Sequence, residues 1–298
     1  MKTDVQTARL DPRVNPYRED LAADFLRGKV EAPRFVAGVK KQVIRAAVAL
    51  RRKPVSTAGL ETEALFGEVI TVYEEANGWA WGQLDRDGYV GYVPANALAA
   101  EVRQPTHKVA ALGTFLYPAP DIKTTPMMHL SITSMLSVAE RVDGFYRLAG
   151  GGFVVVRHVT ELNRYARDFV EIAERLIGTP YLWGGRTRVG IDCSGLVQVS
   201  LEAAGIRAPR DTDMQQAQLG VPVPITPDLE GLQRGDLVFW PGHVGIMCDA
   251  YMMVHANAYH MTVAVEPLAD AAHRIAKNGT QISAIKRLPA LSAISRTS

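Results

Sequence analysis

The sequence predicts an α+β protein in which a short N-terminal helix and two small β-barrels precede a domain of mixed helices and strands. Three observations support this fold class. Short alternating segments bounded by hairpin turns fill residues 41–102, and a second copy of that pattern covers residues 106–162. Residues 163–290 instead combine helical apolar spacing with apolar strands. The 298 residues suffice for two or three domains.

Residues 1–32 are predicted to form a short N-terminal helical segment. Asn15 fits an N-cap, with Pro16 at the first helical position. Apolar residues between positions 17 and 27 form one stripe, and Gly28 would end the helix. We expect this helix to dock on a neighbouring domain.

The two barrels are predicted from turn chemistry and from an internal repeat. The dipeptide Asn77-Gly78 is typical of a tight hairpin, and it separates two segments rich in β-branched and aromatic residues. Asp143-Gly144 occupies the equivalent position in the second copy, with the same kind of strand after it. Residues 104–106 are the predicted link between the copies.

Cys193 stands where a glycine-rich turn leads into a helix. The predicted helix continues through residues 196–204 and stops at Gly205, and an earlier helix is predicted from Tyr165 to Ile177. The free N–H groups and the positive dipole end at a helix N-terminus favour a thiolate. A lone cysteine in such a place is more often a small buried apolar residue, so the assignment of a nucleophile depends on partners.

Two histidines supply those partners. His243 opens a predicted strand, and His255 lies on the next strand, which makes a Cys–His–polar triad with Cys193 possible. The same three residue types could bind zinc, but the chain has no CxxC pair and no HExxH motif. The sequence therefore predicts no metal and no cofactor. Cys248, in an apolar strand, is predicted to be a core residue.

Six motifs occur in one order along roughly residues 163–288. They are YLWGG, DCSGL at 192–196, PRDT at 209–212, RGDLVFW at 234–240, GHVGI at 242–246 and VHA at 254–256. This series resembles the NlpC family of papain-like bacterial cell-wall cysteine peptidases, and the barrels resemble the bacterial SH3-like domains that often accompany them. The resemblance implies Cys193 as nucleophile, His243 as base, His255 as the orienting residue and the Tyr181 hydroxyl at the oxyanion site.

The pattern is closest to the γ-D-glutamyl-L-diamino acid endopeptidases, and this implies substrate contacts on either side of the nucleophile. Asp192 and Ser194 would hold a free amino end, although Asp192 could instead be only an N-cap. Arg210, Asp211 and Thr212 match an RDT element, in which the arginine would pair with a substrate carboxylate and the threonine would hydrogen-bond it. A salt-bridged turn is the alternative for this element.

Two aromatic residues are expected to border the site. Trp183 would either shape the pocket wall or pack the loop that precedes Cys193. Tyr89 is the first candidate for a barrel residue that closes over the site, ahead of Tyr92 and Trp81.

The resemblance implies a cysteine endopeptidase that cleaves after D-glutamate in short murein peptides with a free N-terminal L-alanine, in the recycling of cell-wall peptides. One alternative is an endopeptidase, amidase or acyltransferase on intact peptidoglycan. Another is an inactive protein whose barrels bind cell-wall peptides, which the intact Cys193, His243 and His255 argue against.

Composition excludes other classes of partner. A hydrophobic share of 47% with 21% charged residues is ordinary for a soluble protein. The net charge of +2, without a basic run interleaved with aromatics, argues against nucleic acid. The sequence has no stretch of about twenty apolar residues, so no membrane partner is expected. The polar N-terminus lacks the apolar stretch of a secretory signal, so a cytoplasmic protein is expected.

Overall fold

The computed structural model describes residues 10–289, and the α+β fold class that the sequence predicts is confirmed. The N-terminal segment, residues 10–36, contains strands β1 (Leu21–Ala23) and β2 (Arg34–Val36), which pair in parallel, and a 3-10 turn at Asp24–Leu26. Among residues 10–289, no helix combines the length and the apolar composition that a bilayer crossing requires.

The predicted N-terminal helix is wrong over its described part, and residues 1–9 of that prediction lie outside the described residues. Asn15 does not cap a helix, because its side-chain amide donates back to the Asp11 carbonyl at 2.8 Å. Leu21, Ala22 and Ala23 are all fully buried, so the apolar run has no exposed face and forms a short strand.

The first β domain is one antiparallel sheet of seven strands in the order β5-β4-β8-β7-β6-β3-β9. Asn77 and Gly78 have φ angles of 52° and 80°, the left-handed values of the tight hairpin that the dipeptide predicts. The strands are β3 (Val39–Val43), β4 (Ala47–Arg51), β5 (Leu60–Leu65), β6 (Val69–Ala76), β7 (Trp79–Leu84), β8 (Val90–Pro94) and β9 (Leu98–Ala99).

The second β domain consists of three small sheets, β13-β10-β17, β11-β12 and β14-β15-β16. Its turn at Asp143-Gly144 closes the pair Val142↔Phe145, as Asn77-Gly78 closes Ala76↔Trp79 in the first copy. The strands are β10 (His107–Val109), β11 (Gly113–Leu116), β12 (Met128–Ser131), β13 (Met135–Leu136), β14 (Val138–Val142), β15 (Phe145–Leu148), β16 (Phe153–Val155) and β17 (Val159–Glu161).

The C-terminal domain is built on a six-stranded antiparallel sheet in the order β20-β25-β21-β22-β23-β24. Its helices are α1 (Phe169–Arg175), α2 (Cys193–Ala203), α3 (Thr212–Gln218) and α4 (Leu268–Ala276). Its strands are β18 (Arg186–Thr187), β19 (Gly190–Ile191), β20 (Val221–Val223), β21 (Leu237–Trp240), β22 (His243–Met247), β23 (Met252–Asn257), β24 (Thr262–Pro267) and β25 (Ala284–Arg287).

Helices α1 and α2 pack on one face of this sheet and α4 on the other. Successive side chains of β21 point to opposite faces of the sheet. Phe239 therefore packs in the core with α2, and Trp240 packs in the core with α4. Helix α1 begins four residues later than the sequence predicts, because the Asp168 side chain caps it by accepting from the Val170 N–H. The buried helix α2 starts at Cys193, close to Val244 near the beginning of β22.

The first β domain is fastened to the C-terminal domain through buried polar contacts. Arg186 is fully buried, its backbone N–H donates to Glu63 at 2.8 Å, and its guanidinium donates to the Glu63 carbonyl at 2.9 Å. Arg210 donates from Nε to the Thr62 hydroxyl at 2.8 Å. Because strand β5 carries both partners, the first β domain forms a fixed wall beside α2.

Candidate active site

Cys193 is the first residue of α2 and is almost fully buried at 6% exposure. Asp192 caps the helix by accepting from the Gly195 N–H at 2.7 Å. A side chain at Gly195 would meet the Gly185 carbonyl oxygen at 2.3 Å, so the motif requires glycine there. The turn therefore holds the thiol against the sheet.

The resting cysteine is a thiol rather than the thiolate that a helix N-terminus alone predicts. Burial raises the pKa of Cys193 to about 11, and the Asp192 carboxylate adds to the rise. The Val244 N–H and the Thr212 hydroxyl act in the opposite direction, as does Arg210, but burial outweighs them. Attack by this cysteine consequently needs a base that removes its proton.

His243 and His255 lie diagonally across strands β22 and β23 and are directly hydrogen-bonded. The Nε2 atom of His243 is 2.9 Å from Nδ1 of His255, and His255 is completely buried. Burial and the neighbouring His255 lower the pKa of His243 to about 3, and burial lowers the pKa of His255 to about 4. Both imidazoles are therefore neutral at pH 7.

A carboxylate and a guanidinium that sequence reasoning missed continue this chain. His255 Nε2 is 2.7 Å from Glu266 Oε1, and Arg274 donates to both oxygens of Glu266 at 2.6 Å. Burial raises the pKa of Glu266, but the bonds from Arg274 and His255 bring it below its usual value. We call Arg274, Glu266, His255 and His243 the histidine relay.

The histidine relay determines which ring nitrogens carry protons. An ionised Glu266 only accepts, so His255 Nε2 must donate and its Nδ1 must accept. His243 then donates from Nε2, which leaves its Nδ1 as an unprotonated acceptor. That Nδ1 has no hydrogen-bond partner among residues 10–289, and Val244, next in the chain, lies at the Cys193 thiol. An imidazole with an unprotonated Nδ1 is the form that can accept a proton.

Glu266 also belongs to a group of three metal-ligand residue types with His255 and His260. Its oxygens are already occupied by Arg274, and His255 is held on both nitrogens. Among the described residues this group is therefore a hydrogen-bonded relay, and it does not fit a metal site.

Glu266→Gln should lower kcat about 10- to 100-fold with little change in KM, because a neutral amide can donate or accept and no longer fixes the His255 tautomer. The matched control is Glu174→Gln, which breaks an ion pair with Arg234 in the same domain away from the histidines. Steady-state kinetics on a peptide substrate would measure both. Equal kcat for the two variants would show that the relay has no role in proton transfer.

Tyr181 lies close to Cys193, the predicted nucleophile. It packs against the core that contains Cys193, and its backbone N–H donates to the Met261 carbonyl at 2.9 Å. Burial raises its pKa, with further contributions from Cys193 and Asp192. Its hydroxyl donates to no group among the described residues, so it remains available near the thiol.

Asp192, Ser194 and Arg210 bind one another rather than standing open to a substrate. Arg210 donates to both Asp192 oxygens at 3.0 and 2.7 Å and to the Ser194 hydroxyl at 2.8 Å. Gly184 and Gly195 N–H groups complete the coordination of Asp192. This geometry differs from the predicted amine and carboxylate contacts, because the buried guanidinium needs these acceptors. The cap interpretation of Asp192 fits the structure.

Tyr89 reaches the site from the first β domain. Its hydroxyl donates to Asp211 Oδ2 at 3.0 Å, and burial raises its pKa. The competing candidates are occupied elsewhere, since Arg18 covers Trp81 at 4.7 Å and donates to the Tyr92 hydroxyl at 3.1 Å.

Thr212 and Trp183 are the remaining predicted substrate contacts. The Thr212 hydroxyl faces the Cys193 thiol, and its predicted hydrogen bond to a substrate carboxylate stays a prediction. Trp183 is 68% exposed, which disfavours packing of its own loop, and its place in the pocket wall stays a prediction.

Parts of the chain are similar to known protein families and to individual proteins. Residues 178–276 match the NlpC/P60 family, and residues 50–98 match the bacterial dipeptidyl-peptidase SH3 domain. A γ-D-glutamyl-L-lysine dipeptidyl-peptidase of Bacillus subtilis (strain 168) is 27% identical over 224 residues, which cover 66% of this chain and 72% of that protein. Dipeptidyl-peptidase 6 of Lysinibacillus sphaericus is 27% identical over 233 residues, 70% of this chain and 84% of that one.

A solved structure has the same fold. The crystal structure of an NlpC/P60 family protein from Bacillus cereus ATCC 10987 superposes with a TM-score of 0.70 at 22% identity. The match covers 84% of this chain and 100% of that one. The two proteins thus share their fold over the matched residues.

Proposed function

Because the chain carries an NlpC/P60 cysteine peptidase domain behind a bacterial SH3 domain, we propose that it hydrolyses the γ-D-glutamyl-diamino acid bond of short murein peptides whose N-terminal L-alanine is free. The coarser activity, a cell-wall peptidase, follows from the family and from the relatives described above. The observation that carries the finer proposal is the position of the Asp211 carboxylate. Asp211 accepts a hydrogen bond from Tyr89 of the first β domain, and the next residue, Thr212, has its hydroxyl at the Cys193 thiol.

In the proposed reaction, His243 Nδ1 takes the proton of Cys193 as the sulfur attacks the γ-carbonyl carbon of D-glutamate. The negative charge on the carbonyl oxygen would be stabilised by the Tyr181 hydroxyl and the Cys193 N–H. The tetrahedral intermediate collapses to a thioester, and the diamino acid leaves with the proton that His243 returns to its nitrogen. Water, deprotonated by His243, then hydrolyses the thioester and frees the thiol.

The histidine relay supports both halves of this cycle. When His243 is protonated on Nδ1, it keeps donating from Nε2 to His255, so the ring does not need to turn. The positive charge that forms lies two hydrogen bonds from Glu266, which Arg274 keeps ionised. The relay therefore orients the base and stabilises its protonated form.

Asp211 is the group we assign to the substrate's ammonium, in place of Asp192. Its Oδ2 accepts from Tyr89 at 3.0 Å and from Arg13 at 2.8 Å, while its Oδ1 has no hydrogen-bond partner within residues 10–289. Burial raises the pKa of Asp211, and the bond from Tyr89 and the charges of Arg210 and Arg13 oppose that rise. A partly buried carboxylate with one open oxygen is suited to a charge-assisted bond from an ammonium.

The first β domain would also explain why short peptides are preferred. It is fastened to the C-terminal domain through the Thr62–Arg210 and Glu63–Arg186 contacts and places Tyr89 on Asp211. A glycan strand attached to the L-alanine would have to pass through this wall. The role in recycling and a location inside the cell stay predictions from the sequence.

Acetylating the L-alanine of the tripeptide should lower kcat/KM of the wild-type enzyme by about 10- to 150-fold, the effect of losing one charge-assisted hydrogen bond. Asp211→Asn should lower the rate on the free peptide by a similar factor and leave the acetylated peptide unaffected, so that discrimination disappears. Rates measured by chromatography on matched peptides would decide. Equal wild-type rates on both peptides would contradict recognition of the amine.

A further inference from the structure

Arg13 of the N-terminal segment ends in contact with the proposed ammonium-binding carboxylate. Its guanidinium donates to Asp211 Oδ2 at 2.8 Å and to both oxygens of Asp213 at 3.0 and 2.6 Å. Its Nε donates to Asp11 Oδ1 at 3.2 Å. The Arg13 carbonyl accepts from the Val90 N–H at 2.8 Å, so the segment is fastened to the first β domain beside Tyr89.

The Asp211 side chain does not cap helix α3, although Asp211 is the N-cap residue of that helix. Asp168, Asp192 and Asp211 each precede a helix as N-cap residues. The first two cap their helices, by accepting from Val170 and Gly195, but the Asp211 side chain makes no cap hydrogen bond. Its carboxylate instead turns to the hydroxyl of Tyr89 and the guanidinium of Arg13.

We propose that Arg13 is a positioning residue for substrate recognition, which together with Tyr89 fixes Asp211 Oδ2 and keeps Oδ1 free for the ammonium of the substrate. This inference rests on the proposed function. It assigns a role in the site to a residue 198 positions from Asp211 in sequence, in a segment outside both matched domains.

The charge around Arg13 fits a role in binding a second cation. One guanidinium faces three carboxylates, those of Asp11, Asp211 and Asp213. Its hydrogen bonds lower the pKa of Asp11 and of Asp213, so both remain ionised. The cluster is thus negative after Arg13 is counted, and a substrate ammonium would be attracted rather than displaced.

Arg13 also affects the pH at which Asp211 is charged. The groups that face Asp211 are Tyr89 from the first β domain, Arg13 from the N-terminal segment and Arg210 from its own chain segment, with Arg52 farther away. Burial raises the pKa of Asp211 and Arg13 lowers it. Without Arg13 the carboxylate would be protonated at higher pH, and the acid limb of kcat/KM would move to higher pH.

The experiment compares Arg13→Gln with the matched control Arg18→Gln in the full chain. Arg18 lies in the same segment but pairs with Asp20 and Glu74, not with Asp211. For the free tripeptide, Arg13→Gln should raise KM about 5- to 30-fold with a smaller change in kcat, and should shift the acid limb upward. The acetylated peptide should be cleaved as by wild type, and Arg18→Gln should match wild type on both peptides. Thermal unfolding would verify that both variants fold, and Arg13→Lys should recover part of the KM.

Three results would overturn the inference while leaving the proposed function intact. They are an unchanged KM and acid limb in Arg13→Gln, an equal loss on free and acetylated peptides, or a lower KM, which would make Arg13 a competitor of the substrate. Failure of the proposed function gives a different result, because the wild-type enzyme itself would then not distinguish the two peptides.

Discussion

Cys193→Ala should abolish peptide hydrolysis, with a loss of about four orders of magnitude or more in kcat, because no other group at the start of α2 can form the thioester. The variant should keep its fold, since alanine leaves the helix and its Asp192 cap in place. Kinetics on the murein tripeptide and a thermal unfolding curve would measure the two effects.

The chain supplies its own control for this variant. Cys248 is the only other cysteine, it is free and half-buried, and burial raises its pKa to about 12. Cys248→Ala should retain activity, and iodoacetamide should inactivate Cys248→Ala as it inactivates the wild type. Hydrolysis by Cys193→Ala near the wild-type rate would show that Cys193 is not the nucleophile.

His243→Ala should reduce kcat nearly as much as Cys193→Ala, because a buried thiol whose pKa is raised to about 11 cannot react at neutral pH without a base. His255→Ala should leave about 10- to 100-fold more activity, since it removes only the group that orients the base.

A third variant, His255→Asn, separates orientation from simple packing. The asparagine carbonyl can still accept from His243 Nε2, so we expect His255→Asn to be more active than His255→Ala. Pre-steady-state measurement of thioester formation would place the loss in the acylation step. If His255→Ala were more damaging than His243→Ala, the order of base and orienting residue would be reversed.

Local sequence signals were sufficient for the parts of the fold that depend on neighbours in the chain. The turn residues at Asn77-Gly78 and the glycine-rich approach to Cys193 predict a hairpin and a helix start, and both are found. The predicted N-terminal helix is wrong because burial on every side of Leu21, Ala22 and Ala23 outweighs a modest helical periodicity.

The substrate side of the site could not be predicted in the same way, because long-range contacts decide it. Whether Asp192 is open to a ligand depends on Arg210, 18 residues later, and the position of Asp211 depends on Tyr89, 122 residues earlier. Nothing local marks either pairing. Glu266 had a weak signal, since it lies near the end of the strand that pairs with the His255 strand, but an exposed glutamate gives the same pattern.

Mass-spectrometric identification of products tests the central claim most directly. The enzyme would be incubated with free L-Ala-γ-D-Glu-diaminopimelate and, separately, with intact sacculi, with Cys193→Ala as the blank. We expect the tripeptide to yield L-Ala-γ-D-Glu and free diaminopimelate, and the sacculi to release no peptide above the blank. Release from sacculi at a rate comparable to the tripeptide, or cleavage at the L-alanyl bond, would contradict the proposed function.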